Sequence, residues 1–356
     1  MATVITEKSA RLADVAKAAG VSQGTVSNVF NRPNLVREEV REHVRAVAQK
    51  LGYRGPDPRG RMLRAGKVNA IGVTTTEPLS YFFTDPYVRV LMTGITEVSD
   101  KSGVGISLVS AASEEDLVWN VRNALVDGLI LFCLDDAQRL VALARERQLP
   151  FVALSLGMFD SAVSAVGIDN VAGARTAAQH LIGLGHRRFA ILSLNLIAAG
   201  EGPVNFDAAT GSISSTPRDR ILGYAQALEA AGIDRAGVPI YEAQHGEPAI
   251  AAALEALFAS PEPPTAILAQ ADKIALAAMT WLQARGYDVP GDVSVIGFDG
   301  VPESAASVPP LTTIQQPIAE IGRAAAKIVL EHDGNVRHEI LDTTLVVRAS
   351  TAPPRG

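Results

Sequence analysis

Short, almost uninterrupted apolar runs recur along most of the chain, at 70–75 (AIGVTT), 105–110 (GISLVS), 128–134 (GLILFCL), 151–155 (FVALS), 189–194 (FAILSL), 266–269 (AILA) and 293–298 (VSVIGF). Helical patterns lie between them, at 87–101, 137–148, 171–184, 219–231, 248–259, 272–285 and 317–332. Strands that alternate with helices close as parallel sheets covered by helices. Strands without a polar face must be buried on both sides. The 356 residues exceed one ordinary core, and the runs suffice for two such sheets without a visible internal repeat.

The first 67 residues are different. They carry 13 Lys and Arg against 6 Asp and Glu, a net of +7, whereas the remainder carries 19 against 32, a net of −13, behind an overall charge of −6. A basic head on an acidic body suits phosphate contacts, because neutralising phosphates releases counterions. This head is also patterned. Leu12, Val15, Ala16 and Ala19 fall at helical spacing, and Gly20 is a natural left-handed stop. Ser22 stands where a second helix would be capped, with Val26, Val29 and Phe30 on one face. A third helical pattern repeats Val40, Val44, Val47 and Leu51, with Glu38 and Glu39 in its first turn to suit the helix dipole. Two short helices joined by a tight glycine turn are the helix-turn-helix signature.

In that motif the second helix enters the major groove. Gln23, Gly24 and Asn28 then face base edges, while Thr25, Ser27 and Asn31 are short enough to reach phosphates. Gln and Asn side chains can each bridge adenine N6 and N7. Ser22 reads equally as a helix cap and Thr25 as a partly buried residue.

LADVAKAAGVSQGTVSNVFN followed by VREEVREHVRAVAQKLGY resembles the head of the lac repressor/Gal repressor family of bacterial transcription regulators. RMLRAGKVNAIGV is similar to that family's hinge and first core strand. The blocks GIDNVAGARTAAQHLIGLGHRRFAIL, DVSVIGFDGVPESAASVPPLTTIQQPIAEIGRAA and LVVRAST are similar to its core. The resemblance implies an all-α helix-turn-helix head over residues 1–57, a hinge over 58–67 and a two-lobed α/β core over 68–352. The core would be two doubly wound parallel-sheet lobes of the type I periplasmic-binding-protein fold. One lobe takes about 68–167 and 316–344, the other about 168–315 and 345–352, with crossings near 166–169, 313–316 and 343–346. Tyr53, Arg61 and the hinge leucine Leu63 complete the expected DNA contacts, Leu63 as a wedge between base steps.

The chain departs from the family in several places. Arg11 and Arg37 stand at helix starts that usually carry Thr or Ser, and the stretch between Tyr53 and Leu63 is one residue longer than usual. Gly60 replaces a typical Ala, Ala271 an Asn, and an aromatic expected near Gln244 is missing.

Ligands of doubly wound sheets bind beyond the carboxyl ends of the strands. Asp299 directly follows VSVIGF, and Arg220 opens the helical pattern DRILGYAQAL at the family's effector-contacting arginine. A carboxylate and a guanidinium together bridge vicinal hydroxyls, or else simply pair with each other. Ser155 and Tyr87 are further candidates, and Asp272 is expected to cap its helix at the pocket border. Residues 197–218 form a long Gly/Ser/Thr-rich stretch, read as a surface loop or a cover over the effector.

The expected function is therefore a dimeric, ligand-responsive repressor of operator DNA, with a sugar, sugar phosphate or nucleoside as effector. The alternatives are a free-standing solute-binding protein and a Rossmann-type dehydrogenase. No G-x-x-x-x-G-K-[ST], G-x-S-x-G or H-E-x-x-H motif occurs, so neither an enzyme nor a cofactor is expected. The single cysteine, Cys133, excludes an internal disulfide framework and a cysteine-cluster zinc site, and no metal is expected. No apolar leader follows a basic start and no run of about 18 apolar residues occurs, so the expected location is the cytoplasm, off the membrane. Pro353 and Pro354 oppose a C-terminal assembly helix, which favours a dimer over a tetramer.

Overall fold

The computed structural model describes residues 10–56, 66–110, 113–132, 137–154, 162–196, 203–212, 214–243 and 246–355. They form two compact units, Met1–Val68 and Asn69–Gly356.

The first unit is helical: α1 (Leu12–Ala19), α2 (Gln23–Asn31), a 3-10 turn (Pro33–Leu35) and α3 (Glu38–Lys50). Gly20 ends α1 at φ 66°, a conformation that costs a residue without Cβ little. Val15, Ala16, Ala19, Val26, Val29, Val44 and Ala48 form the buried core. Phe30 meets Tyr53 edge-to-face at 5.6 Å, which ties the residue after α3 back to α2. On α3 the buried positions are Val44 and Ala48, whereas Leu51 is 40% exposed because the helix ends at Lys50. Arg11 cannot accept a capping hydrogen bond. Instead its backbone N–H donates to the Asp14 carboxylate at 2.8 Å, which recovers half of a capping box.

The second unit holds two sheets. The first contains β1 (Ala70–Thr75), β2 (Gly105–Ser110), β3 (Gly128–Leu131), β4 (Phe151–Leu154), β5 (Ala165–Ile168) and β12 (His338–Leu341). Their spatial order is β12-β5-β4-β3-β1-β2, all parallel. The second sheet contains β6 (Phe189–Ser193), β7 (Pro203–Val204), β8 (Ile240–Glu242), β9 (Ala266–Ala269), β10 (Ser294–Asp299), β11 (Thr312–Gln315) and β13 (Thr344–Val346). Their order is β13-β11-β10-β9-β6-β8-β7, with antiparallel strands only at the two edges. The chain passes between sheets after β5, after β11 and between β12 and β13.

Each lobe packs a helix pair at close range. A Cβ on Gly94, in helix Pro86–Ser102, would overlap the carbonyl oxygen of Ala319 in helix Ile318–Leu330. In the other lobe a Cβ on Gly223, in helix Ser215–Ala230, would overlap the Val171 carbonyl of helix Asn170–Gly183.

The stretch 197–218 is not one long loop. It contains β7, a short helix Phe206–Thr210 with Phe206 and Ala209 buried, and the first turn of helix Ser215–Ala230. Pro203 and Val204 pair with Tyr241 and Ile240, so backbone hydrogen bonding holds the Gly/Ser/Thr-rich segment to the sheet edge. No helix among the described residues is long and apolar enough to cross a membrane.

His186, 1% exposed, straps the chain's last segment to the second lobe. Its Nδ1 lies 2.9 Å from Thr265 Oγ1, and its Nε2 lies 3.1 Å from Ser294 Oγ and 2.9 Å from the Ala352 carbonyl. Burial lowers the pKa of His186 from 6.5; the Ala352 hydrogen bond opposes this and nearby His180, itself lowered by burial, adds to it. The unfolded chain therefore takes up protons at a pH where the folded chain does not. Stability is full above about pH 6.5 and falls as the pH drops below it. Asp272 and Asp299, whose pKa values burial raises, gain stability as the pH falls over the same range, so the His186 contribution is read by difference. The stability that His186→Gln removes, measured by denaturant titration, should be smaller at pH 5.5 than at pH 7.5; a difference independent of pH would refute it.

Candidate nucleic-acid interface and ligand cleft

In the head, the sequence places an oxygen acceptor before α2, and the structure uses it. Ser22 Oγ accepts the Thr25 N–H at 3.0 Å and lies 2.9 Å from Thr25 Oγ1, so both hydroxyls belong to the cap. Gln23 and Gly24 stand exposed in the first turn, with no acidic residue there to repel an anion. Asn28 and Ser27 are half-buried, and Asn31 Nδ2 donates to Ser27 Oγ at 3.2 Å. Tyr53 is packed on Phe30 as part of the head's core. Arg61 and Leu63 lie outside the described residues, as does Ser155 of the core set.

In the core, a cleft of about 610 Å³ opens where the carboxyl ends of both sheets face each other. Thr76 and Phe132 reach it just past β1 and β3, Ala271 and Asp299 from the ends of β9 and β10. The strand ends carry backbone groups and side chains that no helix covers, which is why the cleft forms there.

Arg220 and Asp299 meet in the cleft wall, 4% and 7% exposed. Arg220 Nη1 lies 3.5 Å from Asp299 Oδ1. The guanidinium also donates from Nε to Asn170 Oδ1 at 2.9 Å and from Nη1 to the Gln270 carbonyl, and it lies 3.7 Å above the Phe298 ring. Arg220 does not open its helix. That helix begins at Ser215, because the 206–210 turn delivers the chain one and a half turns earlier than the charged residues suggest. Asp299 closes β10 at φ 124°, a conformation that costs a residue with a Cβ on the order of 1–3 kcal/mol. Its Oδ1 accepts from Gln316 Nε2 at 2.7 Å. Burial pushes its pKa well above the usual carboxylate value, opposed by Arg220 and reinforced by Asp272 and Asp85.

Asp272 departs from expectation. It neither caps its helix, whose cap position is Ala271, nor lines the cleft. It is fully buried, with Oδ2 accepting the Gly300 and Val301 N–H groups at 2.8 and 2.9 Å and Oδ1 accepting from Thr313 Oγ1 at 2.5 Å. Its role here is to hold the turn after β10. Burial pushes its pKa up to about 6 against those hydrogen bonds.

Tyr87 does line the cleft, within an arrangement that no local signal announces. Phe132 stacks between Tyr87, at 5.9 Å and 10°, and Tyr81, at 6.4 Å and 18°. Asp85 caps helix Pro86–Ser102 through Oδ1, which accepts the Tyr87 and Val88 N–H groups at 3.0 and 3.2 Å. Its Oδ2 lies 3.5 Å from Lys273 Nζ of the other lobe. Arg89 and Glu303 form a second ion pair between the lobes. The D-P of 85–86 signals the cap, but nothing near it in sequence signals Lys273. Among the described residues no group of three His, Cys, Asp or Glu could hold a metal ion.

Replacing Arg220 by Ala strands a buried carboxylate, which costs on the order of 3 kcal/mol. Asp299 can escape that cost by protonating. The stability gap between Arg220→Ala and the parent should therefore narrow from pH 7.5 to 5.5, read by denaturant titration; a gap independent of pH would refute the pairing as the cause.

Residues 11–55 match bacterial regulatory proteins of the lacI family, and residues 178–351 match the periplasmic binding protein-like domain. An HTH-type transcriptional regulator of Mycobacterium tuberculosis is 38% identical over 353 residues, covering 97% of this chain and 98% of the relative. The lac repressor dimer bound to operator and an anti-inducer superposes with a TM-score of 0.76 at 26% identity, covering 97% of this chain and 100% of that one. A CelR–cellobiose complex superposes at 0.68 with 28% identity, over 96% and 99% of the two chains. With its helix-turn-helix head and its two-lobed core, the chain belongs to the lacI family of bacterial transcription regulators.

Proposed function

We propose that this protein is a cytoplasmic homodimeric repressor whose affinity for a near-palindromic operator is set by a small polyhydroxylated effector in the interlobe cleft: a sugar, sugar phosphate or nucleoside. Residues 1–57 read DNA, 58–67 act as the hinge and 68–352 bind effector and dimerise. The observation that carries this reading is the Arg220–Asp299 pair at the strand ends, inside a cleft bounded by both lobes. No partner for Arg220 Nη2 occurs among the described residues, so it can donate to a ligand hydroxyl beside the Asp299 carboxylate. The operator-bound and cellobiose-bound relatives support the same division of labour.

On the DNA side, the exposed first turn of α2 presents Gln23 and Gly24, with Asn28 one turn on. Ser22 and Thr25 reach phosphates while keeping the cap. Tyr53 and, within the hinge, Arg61 and Leu63 complete the DNA contacts. A side chain that reads a base edge contributes about 1–3 kcal/mol of discrimination, whereas phosphate contacts set the salt dependence. Asn28→Ala should therefore relax preference at one position of each half-site with little change in salt slope. Gel-shift titrations on single-base operator variants test this, and an unchanged ranking of operators would remove Asn28 from the base-reading set.

The core side has a matching test. Arg220→Lys keeps a charge but loses the planar fork that meets Asn170, Gln270 and Asp299 together. It should still shift operator DNA and fail to respond to effector. Full response in that variant would move the effector contact elsewhere.

A further inference from the structure

The cleft wall holds two cations, Arg220 and Lys273, and five carboxylates, on Glu77, Asp85, Glu247, Asp299 and Glu303. Neither cation is free. Arg220 faces Asp299 and Lys273 faces Asp85, each at 3.5 Å. Among the described side chains the cleft lining has no further Lys or Arg. Helix N-termini also attract anions. Of those at the cleft, Glu247–Phe258 and Asp272–Ala284 carry an acidic residue in the first turn; Pro86–Ser102 carries none there and is capped instead by the Asp85 carboxylate, and Ser215–Ala230 carries none. A phosphoryl group entering here loses water and, among the described lining residues, meets more carboxylates than cations, each cation already facing a carboxylate, a combination that weakens its binding.

Besides the polar Thr76, Asn195, Ser214, Ser215, Thr216 and Thr280, the lining is apolar on two sides. One lobe supplies the near-parallel stack of Tyr81, Phe132 and Tyr87, and the other supplies Ile250, Ile274 and Ala277. Aromatic and apolar walls with a few directed polar groups suit a ligand with apolar faces and a hydroxylated edge. At about 610 Å³ the cleft has the size of an ordinary small-molecule site, with room for more than one sugar ring.

We infer that the effector is an uncharged saccharide of at least two rings, and that the Asp85–Lys273 bridge makes the cleft reject phosphorylated forms of it. This rests on the reading of the cleft as the effector site. Asp85 is the specificity determinant: it consumes the one cation of the wall that is more than half exposed, the Lys273 ammonium at 54%.

The test uses the full chain in thermal-shift and calorimetric titrations. The probes are cellobiose, maltose and the matched pairs trehalose with trehalose 6-phosphate and sucrose with sucrose 6-phosphate; inosine and glucose 6-phosphate serve as comparison ligands. At least one neutral disaccharide should bind, and phosphorylated partners should bind at least about tenfold more weakly. Asp85→Asn preserves a side-chain oxygen for the Tyr87 and Val88 N–H groups while releasing Lys273, and should narrow that gap. A phosphorylated sugar that binds as tightly as its parent overturns the inference and leaves the effector reading standing. Binding of inosine with none of the disaccharides overturns the saccharide class, as does silence from every probe. A neutral disaccharide that binds selectively but leaves operator affinity unchanged upholds the charge selectivity and overturns the effector reading.

Discussion

The guanidinium of Arg220 is the junction on which the cleft side of the second lobe depends. From the middle of one helix it reaches the start of another at Asn170, the carbonyl that follows β9 and the carboxylate that ends β10, with the Phe298 ring beneath it. Burying an unpaired cation costs several kcal/mol, so this arrangement holds only because its contacts are made together. Asp299 is kept in an unfavourable backbone conformation by the same set of contacts, and Asp272 locks the turn that follows. The polar side of the cleft is therefore fixed by contacts within the protein itself.

The first lobe presents a different surface. Its wall is aromatic, fixed by ring stacking rather than by buried charge. Between the lobes the contacts are of a third kind. Asp85–Lys273 and Arg89–Glu303 are partly exposed ion pairs, of the sort that contributes about 0–1 kcal/mol each. Rigid walls with weak bridges between them suit a hinge that a ligand can bias, since coupling free energies in regulatory proteins are typically about 1–3 kcal/mol. The close helix pairs at Gly94 and Gly223 leave no room for a side chain larger than hydrogen at either contact.

Local order governs how much could be read in advance. The head was legible because α1 and α2 are set by apolar spacing, a glycine stop and a serine cap, all within a few residues of each other. The central strands of both sheets were legible for a related reason: burial on two faces leaves continuous apolar runs. The edge strands β7, β12 and β13 carry mixed, mostly exposed residues and have no such signature. Residues 197–218 misled because their small polar composition reads as loop, whereas pairing to β8 and the burial of Phe206 and Ala209 give parts of the segment a structure.

What the sequence by itself determined is therefore the class of each unit: a basic helix-turn-helix head, an α/β core of parallel sheets, and a pairing of Arg220 with Asp299 as one of two open readings. Only the tertiary structure decided what surrounds that pair. The removal of Asp272 from the cleft, the aromatic stack on the opposite wall and the bridge from Asp85 to Lys273 all join residues that are far apart along the chain. Periodicity and capping act over one or two turns of chain. The charge state of a cleft is set by which side chains the fold brings within a few ångströms, and that depends on the packing of both sheets at once.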